Sequence, residues 1–123
     1  MLVMAVLARP LVDVYERSGA INAKRLADQL GFTVPQVARA IGRAPSTLNR
    51  NETAPSAQEE LAALAGLLTR VAQLFAGDVE SARIWLHAPH QELNYRRPMD
   101  LLLERRRRVV ESLVGNIEEG APN

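Results

Sequence analysis

The chain has 123 residues, 15 basic and 14 acidic side chains, a net charge of +1, 47% hydrophobic residues and no cysteine. That size allows one or two small domains. The missing thiols exclude disulfides, a thiol nucleophile and cysteine-ligated zinc, and the apolar share excludes a disordered chain.

Ala and Leu supply 35 residues, whereas Phe, Trp and Tyr supply five, so helices are favoured over a β-sandwich or barrel. The apolar stretch Met1 to Ala8 lacks the preceding basic residues and following small-residue site of a signal peptide, and Arg9-Pro10 comes at once. Nothing else approaches the ~20 apolar residues of a membrane helix. The expectation is a cytoplasmic protein with no membrane contact, whose segment Leu2 to Val14 needs cover from the domain or from a second copy.

Pro10 suits the first turn of a helix over about 10–18, closed by Gly19. Asn22 caps a helix over 23–30 that ends at Gly31, and Thr33 caps one over 34–41 that ends at Gly42. Pro45 opens a short helix to about 51, and Asn51 to Pro55 reads as a loop. Ser56-Ala57-Gln58-Glu59 has the form of a capping box. Behind it Leu61, Leu64, Leu68, Val71 and Phe75 follow helical spacing, widened by Leu67 and Leu74, in the longest helix, about 57–76. Asp78 caps a helix over 79–87 before Pro89, Pro98 opens one to about 103, and a last helix over 107–119 carries Val110, Leu113, Val114 and Ile117. Gly77 and Gly120 each follow a helical stretch and suit a C-terminal position with positive φ. No strand pattern exceeds a few residues, so the fold class is all-α.

Within this series Ala38, Gly42 and Leu48 have the spacing of a helix-turn-helix: a small residue at the crossing, a glycine in the turn, and an aliphatic anchor on the second helix. Val37 and Ile41 supply the apolar face of the first helix. The outer side of the second carries Pro45, Ser46, Asn49 and Arg50, with Thr47 beside them, groups that hydrogen-bond base edges and phosphates. Arg39 and Arg43 flank it within reach of phosphates. Ala27, Gly31 and Val37 match the same spacing one helix earlier. That register would begin its reading helix with Val34, Pro35 and Gln36, a poorer surface, and the later register is preferred.

Charge follows the same division. Residues 1–55 hold seven basic and four acidic side chains, and residues 56–123 hold eight and ten. The near-neutral total therefore conceals a positive half around the helix-turn-helix.

Chemistry-bearing motifs are lacking: there is no glycine-rich phosphate loop, H-E-x-x-H or serine elbow. His87 and His90 are split by Pro89 without a third ligand, so they suit a helix end or solvent and not a metal. Neither enzyme activity nor a metal or cofactor is expected.

Ala82-Arg83-Ile84-Trp85-Leu86-His87-Ala88-Pro89, then Leu93, then Arg97-Pro98-Met99-Asp100-Leu101-Leu102 resembles the toxin-binding domain of the MbcA/ParS/Xre antitoxin family, and Val110, Leu113, Ile117 and Gly120 resemble its terminal helix. The Xre-like helix-turn-helix upstream extends the resemblance to about 20–123. The chain differs from the family pattern at Tyr95 and at Arg105 to Arg108, where glycines are usual.

The resemblance implies a type II antitoxin. It would bind and neutralise a RES-domain toxin that consumes NAD and repress its own operon as a dimer on operator DNA. The implied arrangement is an N-terminal Xre-like bundle, residues 1–55, joined by the long helix to a small helical toxin-binding domain, residues 56–123. Toxin contact is expected at Trp85, Arg97 and the segment Ile117, Glu118, Glu119, Gly120, Ala121, Pro122 and Asn123, with that segment covering the toxin's active-site entrance. Trp85 also suits the core. Arg105 to Arg108 suit a solvated helix start, an acidic toxin surface or DNA phosphates. The alternatives are a dimeric transcription regulator with no toxin partner, and a scaffold protein.

Overall fold

The computed structural model of the protein describes residues 13–120, and its first element departs from the helix expected over 10–18. Tyr15 pairs with Ile21 in an isolated antiparallel bridge. The Glu16 N–H donates to the Ala20 carbonyl at 2.8 Å, and the Asn22 N–H donates to that of Val14 at 2.8 Å. These backbone groups pair across a turn through Gly19, whose φ is +92°, so they are not available to a helical ladder. Val14 is fully buried in the core, and of the rest of the suggested dimer segment Asp13 is exposed while residues 2–12 lie outside the described residues.

Three short helices follow: α1 (Ala23–Leu30), α2 (Val34–Ile41) and α3 (Pro45–Arg50). Asn22 caps α1 through its side-chain oxygen, which accepts from the Arg25 N–H at 3.0 Å. Thr33 and Gln36 form a reciprocal box on α2, at 3.1 and 2.9 Å. Gly31 and Gly42 end α1 and α2 in the left-handed region, at φ +76° and +73°. Ala38 and Leu48 are fully buried where α2 crosses α3.

One 3₁₀ turn, Pro55–Ala57, leads into α4 (Gln58–Leu74), the longest helix. The expected capping box does not form, because Ser56 lies inside the 3₁₀ turn and makes no capping bond. Gln58 turns outward instead. Its side-chain oxygen accepts from the Ile21 N–H at 2.7 Å, and its amide donates to the Ile21 carbonyl at 3.0 Å. Leu61, Leu64, Leu67, Leu68 and Val71 of α4 are buried as the spacing predicts. Phe75 falls beyond the last turn and is 37% exposed.

Asp78 then caps α5 (Val79–Leu86) through the Glu80 N–H at 3.1 Å. A 3₁₀ turn, Gln91–Leu93, precedes a reversal in which Asn94 and Tyr95 both have positive φ, +57° and +65°. With the Arg96 N–H donating to the Leu93 carbonyl at 3.1 Å, this is a type I′ turn. Helix α6 (Pro98–Leu103) and helix α7 (Arg107–Gly120) complete the chain. Gly120, expected after the helix, is itself helical.

Among the described residues there are seven α-helices and no strand, an all-α fold. Helix α4 is the spine, packing against α1, α5 and α7, while α1 also meets α5 directly and α2 meets α6. The buried side chains of α1 to α3 and of α5 to α7 belong to one continuous core. No single helix among the described residues is long and apolar enough to cross a membrane.

Candidate functional site

The outer face of α3 is uncovered. Pro45, Ser46, Asn49 and Arg50 are exposed, Thr47 is half-buried and Leu48 is the buried anchor, as the spacing requires. Both glycine turns have the geometry a helix-turn-helix needs, so backbone alone does not select the register. Packing does. Helix α2 is covered by α1, α3 and α6, whereas the substantial helix contact of α3 is with α2. Helix α3 is thus covered chiefly on one side, while α2 still exposes Pro35 and Arg39. Asn49 and Arg50 also line an open groove of about 1010 Å³ with Tyr15, Arg17, Arg25 and Thr53.

The flanking arginines divide. Arg39 is exposed and has no ion-pair partner among the described residues. Arg43 does not project toward a ligand. Its Nη2 donates to the Ser56 carbonyl at 2.6 Å and lies 3.3 Å from Glu60, joining α4 to the turn after α2.

Side chains from the later part of the chain close both glycine turns, a role the sequence reading missed. The Arg83 Nε donates to the Gln29 carbonyl at 3.2 Å. The His87 Nε2 lies 2.9 Å from the Leu30 carbonyl, a contact that requires a proton on that nitrogen. His87 also meets Phe32 edge-on. At the second turn the guanidinium of Arg105 lies over Gly42. His87 thus ends α5, as expected of a histidine there, but also ties α5 to the end of α1. His90 is tied as well: its Nε2 lies 2.9 Å from the Trp85 carbonyl, with the two rings 4.5 Å apart. Trp85 is half-buried and packs against the core.

At the other end, α7 and the Gln91–Leu93 turn enclose an apolar groove of about 520 Å³, lined by Leu93, Val109, Leu113, Ile117, Glu92 and Gly120. Ile117 is 36% exposed, and Ile84 and Tyr95 are more so, at 61% and 70%. The segment expected to act as a free tail is helical through Gly120. Glu118 is held by Arg70 at 2.7 Å, and this hydrogen bond keeps its carboxyl below the ordinary range. Glu119 is exposed, and Ala121, Pro122 and Asn123 lie outside the described residues. Arg97 is exposed but pairs with Asp100 at 2.8 Å, which depresses that carboxyl. Glu104 is likewise depressed, chiefly by its hydrogen bond from Arg96. The four arginines do not share one helix. Arg105 sits in the left-handed region at φ +62° before α7 begins at Arg107, and Arg107 pairs with Glu111 at 2.9 Å. No three His, Asp or Glu side chains among the described residues come together as a group that could hold a metal ion.

Residues 70–120, which hold the apolar groove, match the family described as the antitoxin Xre/MbcA/ParS C-terminal toxin-binding domain. This part of the chain is similar to that family's domain. The matched segment begins on the last turns of α4 and runs through Gly120 of α7. The fold is similar, over 80% of this chain and 92% of the other, to a chain in the crystal structure of the M. tuberculosis MbcT-MbcA toxin-antitoxin complex, with a TM-score of 0.54 and 22% identity. No curated protein matches the chain.

Proposed function

We propose that this protein is the antitoxin of a toxin–antitoxin pair, binding and neutralising a RES-domain, NAD-consuming toxin and repressing its own operon. The carrying observation is the Xre/MbcA/ParS domain over residues 70–120. In this reading residues 56–123 hold the toxin, with the groove of Leu93, Val109, Leu113 and Ile117 taking its apolar side chains and Trp85, Arg97 and residues 117–123 at or near the contact. Burial of such side chains supplies most of the free energy of a protein interface, and charged rims supply register.

Residues 1–55 hold operator DNA through Ser46, Thr47, Asn49 and Arg50, with Arg39 on the backbone. Support comes from the uncovered side of α3 and from the excess of basic residues in this half. Helix-turn-helix readers dimerise on half-sites one helical turn apart, so the protein is read as a cytoplasmic homodimer on a palindrome. The chain itself does no chemistry and carries no cofactor; the reaction belongs to the toxin it holds.

Co-expression tests this reading. The toxin gene alone should deplete NAD and stop growth, and this chain should restore both. Asn49→Ala with Arg50→Ala should abolish repression and leave rescue intact. If rescue fails, or if repression persists unchanged in that double variant, the proposed function is wrong in the corresponding half.

A further inference from the structure

Among the described residues, fourteen side chains are basic. Eight of them (Arg25, Arg43, Arg70, Arg83, Arg96, Arg97, Arg106 and Arg107) stand within 4 Å of a carboxylate. The unpaired remainder is Arg17, Lys24, Arg39, Arg50, Arg105 and Arg108. Four of these belong to the first 55 residues. Arg105 belongs to the toxin-binding domain by sequence, yet its position is at the helix-turn-helix. A Cβ placed on Gly42 would stand 2.6 Å from the Arg105 Cζ and 2.9 Å from its Nη2.

We propose that Arg105 is a DNA-backbone contact, a phosphate-binding arm lent by the toxin-binding domain to the helix-turn-helix. The inference rests on the DNA reading above and extends it to a residue outside residues 1–55. Three observations carry it. The first is reach. Gly42 precedes the start of α3 by three residues, a span of at most about 10 Å. A major groove is about 12 Å wide, so a cation this near the start of a helix seated in it stands at the groove edge, where phosphates run.

The second is free charge. The nearby carboxylates are engaged elsewhere: Glu104 by Arg96 and Arg106, Asp100 by Arg97, Glu111 by Arg107 and Glu60 by Arg43. Arg105 is exposed and keeps its charge for an outside partner. Arg39, three residues before Gly42 on α2, is exposed and unpaired too, so two uncompensated arginines belong to this part of the fold. A free pair beside the uncovered helix fits a phosphate backbone better than a protein surface docked at the apolar groove.

The third is backbone. Arg105 holds φ at +62° without being glycine. A left-handed residue bearing a side chain is strained relative to glycine, and such outliers concentrate at binding sites.

The same strain makes the test clean. Arg105→Gly removes the guanidinium and relieves the backbone, so the fold is kept. Arg105→Lys retains the charge. Binding of the full-length chain is measured as a function of salt on a duplex covering the DNA upstream of its own gene, and on an unrelated duplex of equal length. Arg105→Gly should weaken both severalfold at low salt and reduce the slope of log K against log salt by about 0.9, one phosphate, while Arg105→Lys keeps the slope. An unchanged slope with normal binding by the parent protein overturns the proposal and leaves the DNA reading standing. So does an unchanged slope with lost toxin neutralisation, which assigns Arg105 to the toxin. No binding of the upstream duplex by the parent protein overturns both.

Discussion

Gly31 and Gly42 hold nearly the same backbone angles, yet replacing each by alanine should have unequal consequences. Either substitution places a side chain in the left-handed region, at ~1–2 kcal/mol. The surroundings then differ. The new Cβ at Gly42 meets only the tip of Arg105, which swings aside. At Gly31 it would stand 2.8 Å from the His87 Nε2 and 3.0 Å from the Arg83 Cγ and Cδ. His87 is held by the Leu30 carbonyl and packed on Phe32, and Arg83 is fixed at the Gln29 carbonyl and at Glu80. Neither can retreat without losing a hydrogen bond, worth about 1 kcal/mol each. Gly42→Ala should therefore cost ~1–2 kcal/mol and Gly31→Ala ~3 kcal/mol, or about 5 °C and 12 °C in Tm for a chain of this size. Thermal and urea melts of both variants, with His87→Ala as the second arm of a double-mutant cycle, make the comparison. In the His87→Ala background Gly31→Ala should become cheaper by about 1 kcal/mol. Equal melting temperatures for the two glycine variants, or full additivity in the cycle, would refute the reasoning.

Further outcomes follow from the same geometry. Tyr95→Gly relieves the second residue of the type I′ turn and should raise stability by up to ~1 kcal/mol; a lower Tm would show that the exposed ring is packing against something. Ile117→Asp should leave Tm nearly unchanged and weaken toxin binding by ~2 kcal/mol, about 30-fold in Kd by titration calorimetry. Unchanged affinity would move the contact away from the groove. The carboxyls of Glu118, Glu104 and Asp100 are depressed below 4.5, 4.5 and 3.8 respectively by arginine partners. Their contribution is present at neutral pH and is lost as pH falls through those ordinary values to the lower folded ones. Tm should accordingly fall as pH drops below about 5. The double variant Arg70→Ala with Glu118→Ala should fall less steeply, and an identical profile would count against the pair.

What was legible in the sequence was local. Asn22, Thr33, Asp78, Pro45 and Pro98 mark helix starts through bonds or angles spanning at most three residues, and each helix begins where its marker stands. The buried stripe of α4 was legible from spacing for the same reason. Failures came where a distant partner outbid a local one. The chain enters α4 through a 3₁₀ turn that Gln58 ties to Ile21, and Ser56, inside that turn, forms no box with Glu59. Tyr15 bridges to Ile21, so the expected first helix is absent over 13–18. Arg43 and Glu118 carried free charge in the sequence reading, and each is claimed by a partner more than fifteen residues away, Glu60 and Arg70. Spacing gave no sign of Arg83 and His87 as clasps, because their partners are backbone carbonyls, which every residue has.

Those clasps bear on the order in which the molecule is completed. A ribosome makes α1 to α3 first, but the carbonyls of Gln29 and Leu30 and the apolar side of α2 find their cover only when α5 and α6 have been made. A fragment ending near Pro55 would expose that side to water and to other chains. On the proposed function, premature termination or proteolysis beyond α4 should then disable DNA binding along with toxin binding, and the operator would be occupied only by chains already equipped to hold a toxin.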